Sequence, residues 1–246
     1  MLRFIIVATF VVLFLIFSIP IMLVEWIIGK FNPDLKGRSS LAIVQWAFRV
    51  IIVLSGTKVN VIGRENIPDD RAVLYVGNHR SYFDIVIGYT LIKGQCGFVA
   101  KKEMEKIPLL SIYMKYLHCL FLDRENIKEG LKTILVGIDK IKNGISVWVF
   151  PEGTRNKAEQ ETDLLDFKEG SMKIASKTGC PIIPIAITNS AQIWEAHLPY
   201  IRPAHVIVEY GAPIYPKELS KEDQKFLGSY AQHKIQEMLD QHKQED

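Results

Sequence analysis

The chain opens with a long apolar stretch that has the length of a membrane helix. Residues 4–24 carry no charged side chain, and as a helix they would extend about 32 Å, which is enough to cross the hydrocarbon of a bilayer. Pro20 lies near the end of this stretch and is expected to kink the helix. No small-x-small cleavage site follows Pro20, so the pattern favours an anchor over a cleaved signal peptide.

A second apolar stretch, residues 41–54, follows the candidate N-cap residues Ser39 and Ser40. It is short for a membrane span, and its strongly polar members, Gln45 and Arg49, lie four residues apart on one helical face. This pattern predicts a helix lying in one leaflet, with Arg49 reaching a lipid phosphate. A core helix of a soluble domain would show the same pattern and remains the alternative.

The excess positive charge also lies in this apolar part of the chain. The net charge is only +3, from 30 basic and 27 acidic side chains, which argues against a nucleic-acid partner. Because Lys30, Lys36 and Arg38 follow the first stretch, the positive-inside tendency places this loop and the later domain at the cytoplasmic face of the cell membrane. Residues 1–56 are therefore predicted to form a two-helix membrane anchor, either monotopic or with the first helix spanning.

From residue 57 onward, short apolar runs alternate with segments of helical spacing. Strands are predicted over residues 58–63, 72–77, 97–100, 119–122, 146–150, 181–187 and 205–210. Helices are predicted over residues 108–117, 127–142 and 220–243. Two more are predicted, one that begins at residue 85 and one that ends at residue 178. This alternation predicts one α/β domain over residues 57–246, with a mixed, largely parallel sheet flanked by helices.

The three cysteines, Cys96, Cys119 and Cys180, are far apart in the chain. They show neither CxxC nor histidine-rich spacing, which predicts reduced, buried thiols in a cytosol-facing domain and no metal site.

The most informative polar segment is Asn78-His79-Arg80-Ser81-Tyr82-Phe83-Asp84. It follows a predicted strand and precedes a predicted helix, so His79 should lie at the carboxyl end of the strand, where open α/β sheets bind their ligands. We interpret His79 as a general base and Asp84 as the carboxylate that holds one imidazole nitrogen protonated.

A structural interpretation of the same segment is equally available. Ser81-x-x-Asp84 fits a capping box, with Ser81 at the N-cap and Asp84 at the third helical position. The two interpretations are compatible, since a cap would also fix the carboxylate. A histidine–aspartate metal site is disfavoured because no third ligand lies at metal-like spacing.

Four predicted strands end in polar or basic residues, and like strand ends can converge on one crevice. These ends are Asn78-His79, Lys101-Lys102, Asp123-Arg124 and Phe150-Pro151-Glu152-Gly153-Thr154-Arg155. A base, a carboxylate and several cations together suit a hydroxyl nucleophile on a molecule that also carries a phosphate. For each cation, an ordinary surface position is the alternative.

Four motifs occur in a fixed order along the domain: Asn78-His79-x4-Asp84, Phe121-Leu122-Asp123-Arg124, Phe150-Pro151-Glu152-Gly153-Thr154-Arg155 and Cys180-Pro181-Ile182-Ile183-Pro184. Together they resemble the four ordered blocks of the glycerolipid acyltransferases, and most closely the bacterial 1-acyl-glycerol-3-phosphate acyltransferases of the PlsC type. A single block would be a weak signal, but all four in order are specific.

The resemblance implies transfer of a fatty acyl group from a thioester, on acyl carrier protein or coenzyme A, to the sn-2 hydroxyl of lysophosphatidate. The product would be phosphatidate, and neither a metal nor a cofactor is implied. By the same resemblance His79 is the base, Asp84 is its partner, and Glu152, Gly153 and Thr154 lie in the block that shapes the acceptor site. The candidate phosphate ligands are Arg155, Arg124, Lys101 and Lys168.

Other functions use similar groups. The acceptor could be glycerol-3-phosphate or another lysophospholipid, and a thioesterase would use water in its place. A non-catalytic lipid-phosphate-binding protein would need the cations but not His79.

Overall fold

The computed structural model describes residues 1–245 and centres on a seven-stranded sheet. Its strands are β1 (Lys58–Ile62), β2 (Leu74–Gly77), β3 (Cys96–Lys101), β4 (Leu120–Leu122), β5 (Ser146–Val149), β6 (Ile182–Thr188) and β7 (His205–Tyr210). The helices are α1 (Leu2–Phe17), α2 (Ile19–Phe31), α3 (Pro33–Ser55), α4 (Phe83–Leu91), α5 (Leu110–Tyr116), α6 (Ile127–Lys142), α7 (Glu169–Thr178), α8 (Lys221–Lys225) and α9 (Leu227–Glu245).

The sheet has the strand order β1–β7–β6–β2–β5–β3–β4, and only the β6–β7 pair is antiparallel within residues 1–245. This confirms the predicted mixed, largely parallel sheet. Strands β2, β5 and β6 are buried along their whole length, because helices cover both faces of the sheet. The carboxyl ends of β6, β2, β5, β3 and β4 therefore lie along one edge, where their connecting loops meet.

The first apolar stretch bends where a kink was expected. Helix α1 ends at Phe17, and α2 begins at Ile19 with its axis turned by 49°. Pro20 occupies the first turn of α2, where its missing N–H is tolerated, but its ring prevents one continuous helix. By length and composition, α3 could cross a membrane, and α1 with α2 could do so as one bent span.

Helix α3 begins earlier than the sequence predicted. Ser39 and Ser40, the expected caps, lie inside the helix, which is capped by Asn32, whose side chain accepts a backbone N–H in the first turn. Asn32 followed by Pro33 is the stronger start signal, because the amide oxygen caps and the proline is preorganised for the first position. The helix ends at Gly56, which adopts the left-handed conformation.

One face of α3 packs on α4 and the sheet. Gln45 Nε2 donates to the carbonyl oxygens of Tyr89 (2.9 Å) and Ile92 (3.0 Å) at the end of α4. The same hydrophobic core contains residues of α1, α2, α3, α4 and the sheet: Val7, Met22, Leu41, Val44, Ile51, Tyr75, Phe83, Ile87 and Trp148. Residues on both sides of the expected boundary near residue 57 therefore share one hydrophobic core.

The opposite faces of these three helices are open to solvent and strongly apolar. Their exposed large hydrophobic side chains include Leu2, Ile5, Ile6, Val12, Leu13, Ile16, Phe17, Ile19, Ile21, Leu23, Val24, Trp26, Ile27, Phe31, Trp46 and Val53. A patch of this extent is rare on soluble monomers and is typical of a membrane or protein contact surface.

A series of polar side-chain contacts connects the start of α3 to α6, on the far side of the sheet. His118 Nδ1 lies 3.2 Å from Lys140 Nζ, the other ring nitrogen contacts Gln95, and Gln95 donates to Asp34 (2.7 Å). Burial, together with the charges of Lys140 and Lys36, lowers the pKa of His118 to about 4. The imidazole is therefore neutral at physiological pH, so its Nδ1 accepts from Lys140 and its Nε2 donates to Gln95.

The C-terminal helix was predicted as one element over residues 220–243. It is interrupted at Phe226, whose backbone leaves the helical region, so α8 forms a short turn capped by Ser220 before α9 packs on β6.

Candidate active site

The site begins at the end of β2, where Asn78 fixes the direction of the chain. Its side-chain amide accepts from the Ile187 N–H (2.8 Å) and donates to the Ile187 carbonyl (2.9 Å). These two bonds continue the pairing with β6 beyond the strand by a side chain, and Asn78 is almost fully buried. His79 is therefore delivered to the carboxyl edge of the sheet, as predicted.

His79 and Asp84 form a direct pair. His79 Nδ1 lies 2.8 Å from Asp84 Oδ2, and the same oxygen accepts the backbone N–H groups of Arg80 and Ser81, each at 2.8 Å. Asp84 is fully buried in the first turn of α4. Because a buried carboxylate accepts, Nδ1 carries the ring proton and Nε2 keeps its lone pair.

The capping interpretation is correct in part. Helix α4 begins at Phe83 with Tyr82 as the cap, so Ser81 precedes the cap that it was expected to form. The hydroxyl of Ser81 accepts from the Phe83 N–H (3.0 Å), and Asp84 returns a bond to the Ser81 N–H. Asp84 thus stabilises the helix start and contacts His79 at once.

The loop after β5 holds His79 on three sides. The imidazole stacks on Phe150, with ring centroids 4.2 Å apart and an interplanar angle of 13°. The His79 N–H donates to Glu152 Oε1 (2.7 Å), and its carbonyl accepts from the Asn156 N–H (2.7 Å). The first and third motifs, far apart in sequence, are therefore in contact.

Glu152 contacts the chain's own amides. Its second oxygen accepts from the Leu165 N–H (3.1 Å), and burial raises the pKa of the carboxyl. The side chain is only 3% exposed, so it positions the His79 backbone and the loop, and it reaches a ligand only through them.

Gly153 and Lys168 lie side by side at the mouth of the site. Gly153 has a φ of +74°, and a Cβ added there would come within 2.9 Å of Lys168 Nζ. Glycine is favoured here because other residues adopt this conformation only with strain. Lys168 and Thr154 are both exposed to solvent.

Arg155 lies over the turn that follows His79. Its guanidinium carbon is 3.9 Å from the centre of the Tyr82 ring, and its Nη1 is 3.2 Å from Glu195 Oε1. The predicted base and the predicted phosphate ligand therefore share one face of the molecule.

Glu195 is the residue that sequence reasoning missed. Its carboxylate also accepts from the Ser81 hydroxyl (2.6 Å) and the Tyr82 N–H (2.9 Å). Glu195 belongs to none of the four motifs and is 40 positions from Arg155, so no local pattern could have identified it.

Lys101 and Arg124 lie on the same edge but farther along it. Lys101 ends β3 and Arg124 follows β4. These strands are two and three positions from β2, or about 10 and 14 Å at ordinary strand spacing. Lys101 pairs with Glu103 at 3.2 Å, and partial burial lowers the pKa of Arg124. The structure thus places Arg155 and Lys168 at the third-motif loop, and Lys101 and Arg124 farther along the edge.

Within residues 1–245, no group of three histidine, cysteine, aspartate or glutamate side chains is arranged to hold a metal ion. The assembled groups can instead take a proton from a hydroxyl at Nε2 of His79 and bind an anion at the neighbouring cations.

Comparison with known proteins agrees with this geometry. A family model described as Acyltransferase matches residues 58–188. The chain is 29% identical over 220 residues to the 1-acyl-sn-glycerol-3-phosphate acyltransferase of Saccharomyces cerevisiae, covering 87% of this chain and 70% of the relative. It is 30% identical over 200 residues to the enzyme of that name from Haemophilus influenzae, covering 79% and 80%. The crystal structure of the 1-acyl-sn-glycerophosphate acyltransferase PlsC from Thermotoga maritima superposes with a TM-score of 0.81 at 28% identity, covering 98% of this chain and 94% of that one.

Proposed function

Because this chain belongs to the Acyltransferase family, we propose that it transfers a fatty acyl group from a thioester to the sn-2 hydroxyl of lysophosphatidate, giving phosphatidate. The names of its relatives support this acceptor. The observation that carries the proposal is the pairing of His79 with buried Asp84 on the same turn that supports Arg155.

The reaction needs a base because an alcohol is a weak nucleophile at neutral pH. Nε2 of His79 takes the proton as the hydroxyl oxygen attacks the thioester carbonyl carbon, and Asp84 stabilises the imidazolium that forms. Collapse of the tetrahedral intermediate breaks the C–S bond, and the imidazolium returns the proton to the leaving sulfur. Ser81 does not serve as a nucleophile, because it is fully buried and its hydroxyl donates to Glu195.

The acceptor phosphate binds at Arg155, and Lys168, which lies against Gly153, supplies a second cation. An arginine fork offers several N–H donors to phosphate oxygens, and lysine adds a compact charge. Lys101 and Arg124 line the more distant part of the same edge.

Replacing Arg155 with alanine is expected to raise the KM for lysophosphatidate by about 10- to 100-fold, the worth of a charge-assisted hydrogen bond to a ligand. Steady-state rates at varied acceptor and saturating donor measure this. Arg71→Ala is the matched control, because Arg71 is an exposed arginine at the opposite end of β2. A change in donor KM alone would contradict the assignment of Arg155.

The proposal itself is tested by an acyl-transfer assay on the full chain. Lysophosphatidate, glycerol-3-phosphate and another lysophospholipid are compared as acceptors, with acyl carrier protein and coenzyme A thioesters as donors. We expect transfer to lysophosphatidate above the other acceptors. Acyl release without an acceptor would indicate a thioesterase, and acceptor binding without turnover would indicate a lipid-binding protein.

The exposed apolar faces of α1, α2 and α3 act as the membrane anchor, with the catalytic part on the cytoplasmic face beside Lys30, Lys36 and Arg38. Both the acceptor and the product are lipids, so a site at the bilayer surface spares their full extraction into water. We expect detergent to release the full-length protein from membranes, whereas high salt leaves it in the membrane pellet. Recovery in the soluble fraction after high salt alone would contradict the anchor.

A further inference from the structure

Glu195 connects the two halves of the site that the motifs describe separately. One of its carboxylate oxygens is shared between the Tyr82 N–H and Arg155 Nη1, and the other accepts from the Ser81 hydroxyl. The turn after His79 and the arginine of the third motif are thus bound by a single side chain.

The segment that carries Glu195 is itself held in place. Trp194 packs between Phe4 of α1, with ring centroids 5.8 Å apart, and Tyr82, at 5.9 Å. Glu195 is only 16% exposed, against 31% for Arg155. The carboxylate is therefore the better fixed partner of the ion pair, and the arginine is the one with access to a ligand.

An unrestrained arginine loses side-chain freedom when it binds a phosphate, and this ordering weakens binding. Glu195 accepts from Nη1 of Arg155, and the Tyr82 ring supports the guanidinium plane. The Arg155 side chain is therefore ordered before the ligand arrives. Arginine has five N–H donors, and donors remain for phosphate oxygens.

We propose that Glu195 is a positioning residue that holds Arg155 ready for the acceptor phosphate. This rests on the proposed function, and it assigns acceptor affinity to a carboxylate outside the four motifs. A carboxylate beside a phosphate site would by repulsion alone weaken binding. The sign of the effect of removing it therefore separates positioning from repulsion.

Glu195→Gln is expected to raise the KM for lysophosphatidate about 3- to 10-fold, the ordering cost of one flexible side chain. The turnover number and the donor KM should stay within about twofold of wild type. Glu195→Asp keeps the charge but retracts it by one methylene, and it should raise the acceptor KM similarly. Glu209→Gln is the control, because it also removes a partly buried carboxylate from a side-chain pair, here with His242 in place of Arg155.

The decisive readout is coupling between the two residues. In an Arg155→Ala background, Glu195→Gln should change the acceptor KM less than twofold, because the group that it positions is gone. A purely structural role as the cap of α4 would lower the melting temperature and act equally in both backgrounds. An unchanged or lower acceptor KM in both Glu195 variants, or full additivity with Arg155→Ala, would overturn the proposal. Wild-type protein that fails to acylate lysophosphatidate would refute the proposed function instead.

Discussion

Replacing His79 with alanine is expected to lower kcat on the order of 10³-fold or more while leaving the fold intact. The imidazole has Nδ1 committed to a buried carboxylate, which leaves Nε2 as the ring nitrogen that takes the proton. General-base catalysis contributes about 10²–10⁴-fold, so its removal should lower turnover by a similar factor. Initial rates of acyl transfer to lysophosphatidate at saturating substrates measure this.

The control for this substitution is His233→Ala. His233 is an exposed histidine on α9 that pairs only with Glu237, so its loss should not affect turnover. Both variants should retain the fold, and His79→Ala should lower the melting temperature modestly, since it loses the Phe150 stack and one of the three donors to buried Asp84. Turnover in His79→Ala within a few-fold of wild type would refute the base assignment.

Asp84→Asn is expected to lower kcat about 10²- to 10⁴-fold. The asparagine oxygen can still accept N–H groups, but it has no negative charge to stabilise the imidazolium. If the amide nitrogen faces the ring, the ring proton moves to Nε2, and the base is lost. Initial-rate assays, with the melting temperature measured in parallel, separate the loss of rate from the loss of stability.

The matched control is Asp223→Asn at the start of α8. The Asp223 carboxylate accepts from the Ser220 hydroxyl, which in turn accepts the Asp223 N–H. A fall in melting temperature with normal kcat for Asp84→Asn would leave only the capping role for this residue. We expect both effects, because three donors converge on one buried oxygen of Asp84.

The sequence predicted what depends on local patterns. The strands follow from short apolar runs, and the His79–Asp84 pair follows from a strand-to-helix turn only five residues long. The sequence predicted that like strand ends could converge, and His79 meets the third motif because β2 and β5 prove to be parallel neighbours whose ends share one edge.

What could not be predicted depends on contacts distant in sequence. Gln45 was predicted only to share a helical face with Arg49, and its amide bonds the end of α4, a partner that no spacing reveals. Glu195 has the same character, since a lone glutamate between two short turns carries no signal of the residues that it contacts. The early start of α3 was also missed, because Asn32 caps the helix in place of the predicted caps Ser39 and Ser40.

The core shared between the N-terminal helices and the sheet has a practical consequence. Removing the polypeptide ahead of β1 to obtain a detergent-free fragment would take Val7, Met22, Leu41, Val44 and Ile51 out of the core that they share with Tyr75, Phe83 and Ile87. Such a fragment would aggregate and would not behave as an independent catalytic domain. Biochemical work on this enzyme therefore begins with the intact polypeptide in a micelle or nanodisc.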